Sequence, residues 1–260
     1  MDKTLLKGLQ VLEFVAEADG PSRITDIAAA LGITKSNAHR VLKTLEHAGY
    51  LRQDPRSREY AASFKLWELG SGLVGRLDIR THAADILRRL ANEAREAVHL
   101  SLLEGGQVIY IDKIDSPEPV GAYTRIGGRA PAYCVATGKA LLCHLSEEEL
   151  APILARLEPH SRNTITDPRQ MSEELELSRQ RGYTINRGEW RESVWGIATA
   201  VYGPSSQVVA AIGVSGPEYH LNQQGRCESL AEMVMRAADE ISRSIGYRGD
   251  ARKAVPGRPA

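Results

Sequence analysis

The stretch ITDIAAALGITKSNAHRVLKTLEHAGYLRQDPRSREY, residues 24–60, decides the first half of the fold. It opens with a short helix, Thr25 to Leu31, stopped by Gly32, which tolerates the left-handed conformation needed after a helix. Thr34 then reads as an N-cap and Gly49 as the stop of a second helix, with Ala38, Val41, Leu42 and Leu45 as its apolar stripe. At about 100° per residue the other face carries Ser36, Arg40, Lys43 and His47, flanked by Lys35, Asn37 and His39. No acidic residue interrupts that face before Glu46. Next, YLRQDPRSREYAAS gives two short strands around a Pro-Arg-Ser-Arg turn, a wing with Arg56 and Arg58 at its tip.

Working outward, Leu5, Leu9, Leu12 and Ala16 recur at helical spacing and predict a first helix buried on that side. Helix, glycine turn, basic-faced helix and wing together predict a winged helix-turn-helix over residues 1–70. Any amphipathic helix has a solvated polar face, so the charge alone proves nothing. The agreement of spacing, turn, wing and local charge is what points to double-stranded DNA. Arg and Asn can make bidentate contacts to base edges, and Lys, Ser and the wing arginines can meet phosphates. The expected DNA-binding residues are Lys35, Ser36, Asn37, His39, Arg40, Lys43, Arg56 and Arg58.

Composition sets limits. The 260 residues are 42% hydrophobic and 25% charged, with 33 basic and 33 acidic residues, so net charge makes no case for nucleic acid. No apolar run is long enough to cross a membrane and the first residues lack a signal peptide's apolar stretch, which predicts a cytoplasmic protein. Cys134, Cys143 and Cys227 are odd in number and scattered, which disfavours disulfides and a zinc cluster. Neither a metal nor a cofactor is expected.

After residue 75 the pattern changes. DIRTHAADILRRLANEAREA is a helix opening a second domain, VHLSLLEGGQVIYIDKI is a hairpin turning at Gly105-Gly106, and IATAVYGPSSQVVAAIGVSG turns at Gly203 to Ser206. Ser146 with Glu149 forms a capping box, and a last helix from Glu228 to Ile245 buries Leu230, Val234, Ala237, Ile241 and Ile245. An antiparallel sheet flanked by helices follows, an α+β domain over residues 81–247. Residues 71–80 form the linker, part of a connecting helix, and residues 248–260 a flexible tail.

One segment of this domain invites chemistry: APAYCVATGKALL, residues 130–142. A P-loop fails, because Tyr133 stands where its first glycine belongs and Ala140 where its Ser or Thr belongs. A cysteine nucleophile needs a base, and His99, His144 and His160 have no spacing that implies partnership with Cys134, so no catalytic residue is expected. What is left is a helix start at Ala136, Thr137 and Gly138, capped near Thr137, whose N–H groups favour a carboxylate.

With these residues in place the chain resembles the IclR family of bacterial transcription regulators, over nearly its whole length. The segments 24–60, 97–145 and 182–217 carry the likeness in the family's order. The resemblance implies a GAF-like effector-binding domain, a homodimer or a tetramer built as a dimer of dimers, palindromic or repeated operator DNA, and control of catabolic genes. It also implies that the effector sits at the same helix start, facing strand positions that fall here on Asn186, Gly196, Gly213 and Ser215. The family's small-keto-acid sensors carry Asp, Cys and Ser where this chain has Asn186, Gly196 and Gly213; only Ser215 is kept.

Two glycines in place of side chains suggest spare room, with Tyr133, Trp190 and Trp195 as walls, and hence a carboxylic acid larger than glyoxylate or pyruvate, an aromatic acid foremost. Trp190 and Trp195 could equally be core or dimer-interface residues, and Arg125 and Arg129 are alternative carboxylate partners. The expected function is a ligand-responsive DNA-binding regulator. The competing readings are an enzyme with a DNA-docking module, which lacks a nucleophile and base, and an architectural DNA-binding protein, which lacks overall basic charge.

Overall fold

The computed structural model describes residues 2–74, 78–117 and 124–249; residues 75–77 of the expected linker and 250–260 of the expected tail lie outside the described residues. The chain divides into two compact units, residues 1–77 and 78–260.

In the first unit α1 (Lys3–Glu17), α2 (Ile24–Ala30) and α3 (Lys35–His47) precede β1 (Leu51–Gln53), β2 (Tyr60–Ala62) and α4 (Phe64–Val74). Gly32 and Gly49 take φ of +61° and +81° after α2 and α3, so both turns use the left-handed conformation that glycine adopts without strain. Strands β1 and β2 pair antiparallel with Arg52 opposite Ala61. Val11, Val15, Ile27, Leu42, Leu51 and Tyr60 form the core. Each such aliphatic side chain contributes roughly 1.5–3 kcal/mol by leaving water.

The buried face of α1 differs from the one expected. Val11 and Val15 are buried, whereas Leu5 is 63% and Leu9 48% exposed, and Ala16 is exposed. Two stripes of helical period overlap in this segment, and periodicity alone does not choose between them. The stripe that meets α2 and α3 is the one that buries.

The second unit opens with α5 (Asp78–Ala94), followed by β3 (Ala97–Glu104), β4 (Gln107–Ile114) and β5 (Arg129–Pro131). A 3-10 turn (Ala132–Cys134) leads into α6 (Ala136–Leu142), α7 (Glu147–Leu154), α8 (Pro168–Arg181), β6 (Thr184–Arg187), β7 (Val194–Tyr202) and β8 (Val208–Pro217). Helices α9 (Glu218–Leu221) and α10 (Arg226–Ser244) close the described chain. The sheet is antiparallel with strand order β5-β4-β3-β8-β7-β6. The hairpins β3-β4 and β7-β8 therefore sit side by side through β3 and β8, with His99 opposite Gly213 and Ala97 opposite Ser215. The Ser146–Glu149 capping box starts α7 as expected.

Adjacent residues of both parities are buried in β7 and β8, Ile197 with Ala198 and Ile212 with Ala211, so both sheet faces are covered. Helix α6 lies on the face carrying Gly196, Ala198 and Gly213. Helices α5 and α10 pack on each other and on the central strands, which leaves them the other face.

Candidate functional site

The first unit presents one polar surface. Thr34 Oγ1 accepts the Asn37 N–H at 3.3 Å, which caps α3. Lys35, Ser36, Asn37, His39, Arg40 and Lys43 are all exposed, and so are Arg56 and Arg58. Lys43 is not free to swing: its Nζ donates to Glu46 at 2.7 Å and to Gln53 Oε1 at 3.1 Å, tying α3 to the wing. At the wing tip Asp54 Oδ1 accepts the N–H groups of Arg56 and Ser57, each at 2.8 Å. Those two bonds, Ser57 first, hold the Asp54 carboxyl below its ordinary range. Arg58 adopts φ +63°, and its carbonyl accepts from Gln53 Nε2 at 2.9 Å. The turn is thus organised by its own side chains, with both arginines pointing into solvent.

The second unit holds a cavity of about 500 Å³ between the sheet and the start of α6. Its apolar wall comes from Tyr110, Ala130, Val135, Ala136, Trp190 and Val194, and Arg125, Arg129 and Arg191 also line it. Volume and lining suit a small organic molecule with an anionic group. Arg129 already pairs with Glu104, and Arg191 lies over the Trp190 ring at 5.5 Å.

Helix α6 is held on the sheet by two hydroxyls. Ser101 Oγ donates to Thr137 Oγ1 at 3.1 Å, and Thr184 Oγ1 to the Ala136 carbonyl at 2.7 Å. Thr137 is therefore not a cap; the N-cap position is Val135, which offers no side-chain acceptor. The N–H groups of Ala136, Thr137 and Gly138 are the ones an α-helix cannot satisfy within itself.

Of the nine residues expected around an effector, Ala136, Thr137, Asn186, Trp190, Gly196, Gly213 and Ser215 line this cavity. Tyr133 and Gly138 do not. The Tyr133 hydroxyl turns away, accepting the Glu158 N–H at 2.9 Å and meeting His160 Nε2 at 3.0 Å. Gly138 is a close-packing glycine: a Cβ there would stand 2.1 Å from the Ala132 carbonyl oxygen. Trp195 is also absent from the lining, since it alternates with Gly196 along β7 and faces away.

The expected spare room at the two strand glycines is not there either. A Cβ at Gly213 would lie 2.6 Å from the Ile197 carbonyl oxygen and 3.1 Å from Thr137 Cγ2. At Gly196 it would lie 3.1 Å from the Val214 carbonyl oxygen and 3.4 Å from Ala136 Cβ. The glycines let α6 close on the sheet rather than enlarging the cavity.

Beneath this floor runs a buried ion pair. Lys139, fully buried, places Nζ 2.9 Å from Glu189 Oε1 and 3.6 Å from Glu174, which Arg181 contacts at 3.0 Å. Burial pushes the Glu189 carboxyl above its ordinary range while the Lys139 ammonium pulls it down. The β6–β7 loop is further clamped where Asn186 Oδ1 accepts the Glu189 N–H at 2.9 Å and Thr164 Oγ1 donates to the Glu189 carbonyl at 2.7 Å. Its Trp190 ring meets His160 edge-on at 4.7 Å.

Sequence reasoning missed Tyr110, Thr124, Arg191 and, with most consequence, His99. It lines the cavity from β3, is 4% exposed, and meets Ser215 Oγ at 2.7 Å through Nε2 and Thr124 Oγ1 at 3.2 Å through Nδ1. Burial, then the Lys113 charge, lowers its pKa to about 4, so the ring is neutral near pH 7. A signal existed: His99 and Ser101 alternate within the otherwise apolar run 97–103, a pattern that puts two polar groups on one face. Cys134 has no thiolate to offer, because burial pushes its thiol up to about 12. Among the described residues no group of three or more His, Cys, Asp or Glu could hold a metal, and no helix is long and apolar enough to cross a membrane.

The model of the IclR helix-turn-helix domain matches residues 4–55, and that of the bacterial transcriptional regulator IclR C-terminal domain matches residues 71–243. The chain belongs to the IclR family. It is 32% identical over 248 residues to the HTH-type transcriptional regulator KipR of Bacillus subtilis, spanning 95% of this chain and 98% of that one. Its fold matches the IclR of Thermotoga maritima with a TM-score of 0.77 at 30% identity, over 94% and 99% of the two chains. An IclR homologue of Microbacterium hydrocarbonoxydans, solved as a complex with 4-hydroxybenzoate, matches with a TM-score of 0.80 at 26% identity over 94% and 99%. As an IclR-family member the chain is a DNA-binding transcriptional regulator and not an enzyme. The family assignment gives the exposed face of α3 and the wing of the regulator their place as candidate DNA contacts, and the cavity in its second unit as the candidate effector site.

Proposed function

We propose that this regulator senses a carboxylic acid larger than glyoxylate or pyruvate, an aromatic acid foremost, and that the acid alters its grip on operator DNA in the cytoplasm. The observation that carries the reading is the cavity of about 500 Å³, which combines Tyr110 and Trp190 with Arg125, Arg129 and Arg191. Aromatic walls suit a ring, and guanidinium groups suit a carboxylate. The complex of a relative with 4-hydroxybenzoate supports the same ligand class. The N–H groups of Ala136 and Thr137 and the side chains of Asn186 and Ser215 line the same space and serve as further contacts.

The DNA contacts in this reading are Lys35, Ser36, Asn37, His39, Arg40, Lys43, Arg56 and Arg58, presented twice by a homodimer, or by a tetramer as a dimer of dimers. A ligand shifts DNA affinity only if it binds one arrangement of the oligomer better than the other.

The test uses a DNA fragment that the protein enriches from genomic DNA. Arg40→Ala should lose roughly 1–3 kcal/mol of specific binding, about 5- to 150-fold, while retaining the wild-type thermal shift with 4-hydroxybenzoate. Unchanged DNA affinity in that variant refutes the α3 assignment. Absence of a thermal shift with any of benzoate, 4-hydroxybenzoate or phenylacetate refutes the aromatic-acid assignment.

A further inference from the structure

The cavity wall contains a polar unit that an anion-binding pocket does not need. His99 has both ring nitrogens engaged, Nε2 with Ser215 Oγ and Nδ1 with Thr124 Oγ1, and all three residues face the cavity. Its ring is fixed from the side by Tyr110, with centroids 5.3 Å apart and planes 57° apart. Neither hydroxyl makes another hydrogen bond among the described residues, so each has capacity left for a guest.

A neutral imidazole carries one N–H and one bare nitrogen. Where Nε2 holds the proton it donates to Ser215, and the Thr124 hydroxyl donates its own proton to Nδ1. Ser215 then still has a proton to give, and Thr124 has only lone pairs. The other tautomer exchanges the two roles. In either case the relay shows the cavity one donor and one acceptor. The two hydroxyls bond opposite nitrogens of the ring, so a guest group meets one of them, and the tautomer sets whether that one gives or takes a proton. The complementary group is one able to do either. A hydroxyl does both; a carboxylate only accepts, and a bare ring edge does neither.

We propose that His99, held between Thr124 and Ser215, is the specificity-determining residue of this cavity and selects acids that carry a hydroxyl over the same acids without one. The inference rests on the aromatic-acid reading above and adds to it the second recognition point. The arginines attract the carboxylate, and the His99 relay decides which carboxylic acid is kept. A guest lacking the hydroxyl leaves a relay hydroxyl unmatched in the cavity wall, which is how a polar site rejects an apolar analogue. The ring's loss of basicity on burial favours this role, since a cationic imidazole would offer donors only.

The experiment is isothermal titration of the full-length protein with benzoate, 3-hydroxybenzoate and 4-hydroxybenzoate, on the wild type and on His99→Leu, Ser215→Ala and Thr124→Val. The readout is the ratio of benzoate Kd to the Kd of the better hydroxybenzoate. The wild type should show a ratio of at least about tenfold. In His99→Leu and in Ser215→Ala it should fall to within about threefold of unity, through a rise in the hydroxybenzoate Kd. If His99→Leu does not fold, Ser215→Ala and Thr124→Val carry the test, because they keep the ring and nearly all the volume. A wild-type ratio near one overturns the role of His99 and leaves the aromatic-acid reading standing. So does a tenfold ratio that survives in the folded variants. A wild type that binds none of the three acids overturns both.

Discussion

Replacing Lys139 by Met probes the buried pair beneath the cavity floor. Lys139 is fully buried, and the Glu189 side chain it contacts at 2.9 Å is 5% exposed. Methionine keeps much of the stem's packing and removes only the charge. Glu189 is left ionised in a dry site, a loss of about 3–5 kcal/mol when a buried pair is broken from one side. A lower-energy route is open to it, the uptake of a proton. At pH 7 protonation costs roughly 1.4 kcal/mol per unit above the ordinary value of 4.5, about 3 kcal/mol in all. The smaller figure governs, so the expected destabilisation at pH 7 is about 3 kcal/mol.

The sign of its pH dependence follows from the same residue. With the ammonium gone, burial and the Glu174 charge raise the folded pKa of Glu189 against the Arg187 N–H alone, and it lies further above the unfolded one. Such a group leaves stability intact below pH 4.5 and removes it as pH rises from there toward the folded value. The deficit should therefore be under about 1 kcal/mol at pH 5 and near its full size at pH 7. Urea unfolding of wild type and variant at both pH values, followed by tryptophan fluorescence at one protein concentration, measures it. The double variant Lys139→Met/Glu189→Gln should regain most of the loss, because no uncompensated charge is left. An equal deficit at pH 5 and pH 7, or a double variant no more stable than Lys139→Met alone, would refute the reasoning.

Three further outcomes are expected. Gly213→Ala should destabilise the second unit by roughly 1–3 kcal/mol, since its Cβ meets the Ile197 carbonyl oxygen at 2.6 Å, and Gly196→Ala by clearly less; thermal melts compare them. If both are neutral, α6 does not press on the sheet at these positions. Thr34→Ala should cost about 1 kcal/mol through loss of the Asn37 cap, read from denaturant unfolding of the first unit's signal, while Thr34→Ser should be nearly silent. Asn186→Ala frees the Glu189 N–H at the turn before Trp190 and should weaken 4-hydroxybenzoate binding by titration; an unchanged Kd removes Asn186 from the binding surface.

The α3 and wing assignments were legible because they depend on neighbours in sequence. A cap at Thr34, a stop at Gly49 and a stripe at helical spacing are set by backbone geometry within one or two turns. The same held for both long hairpins of the sheet and for the Ser146–Glu149 capping box. On α1 local information ran out, since two apolar stripes of equal period competed and only contact with α2 and α3 selected Val11 and Val15.

The cavity belongs to the tertiary structure. His99 and Ser215 are 116 residues apart and meet because β3 pairs with β8, a choice no local pattern records. Lys139 has the appearance of half a phosphate-binding motif in sequence, and only the approach of a loop 50 residues later shows it to be the cation of a buried pair. Gly213 looked like missing bulk and proved to be required closeness, because a glycine's sequence does not say which backbone stands opposite it. Sequence by itself determined what repeats over a few residues: helix ends, turn chemistry, the polar face of α3 and the family pattern. Strand order and the seating of α6 decided which side chains share the cavity, for the physical reason that long-range packing, not chain proximity, brings those polar groups together out of water.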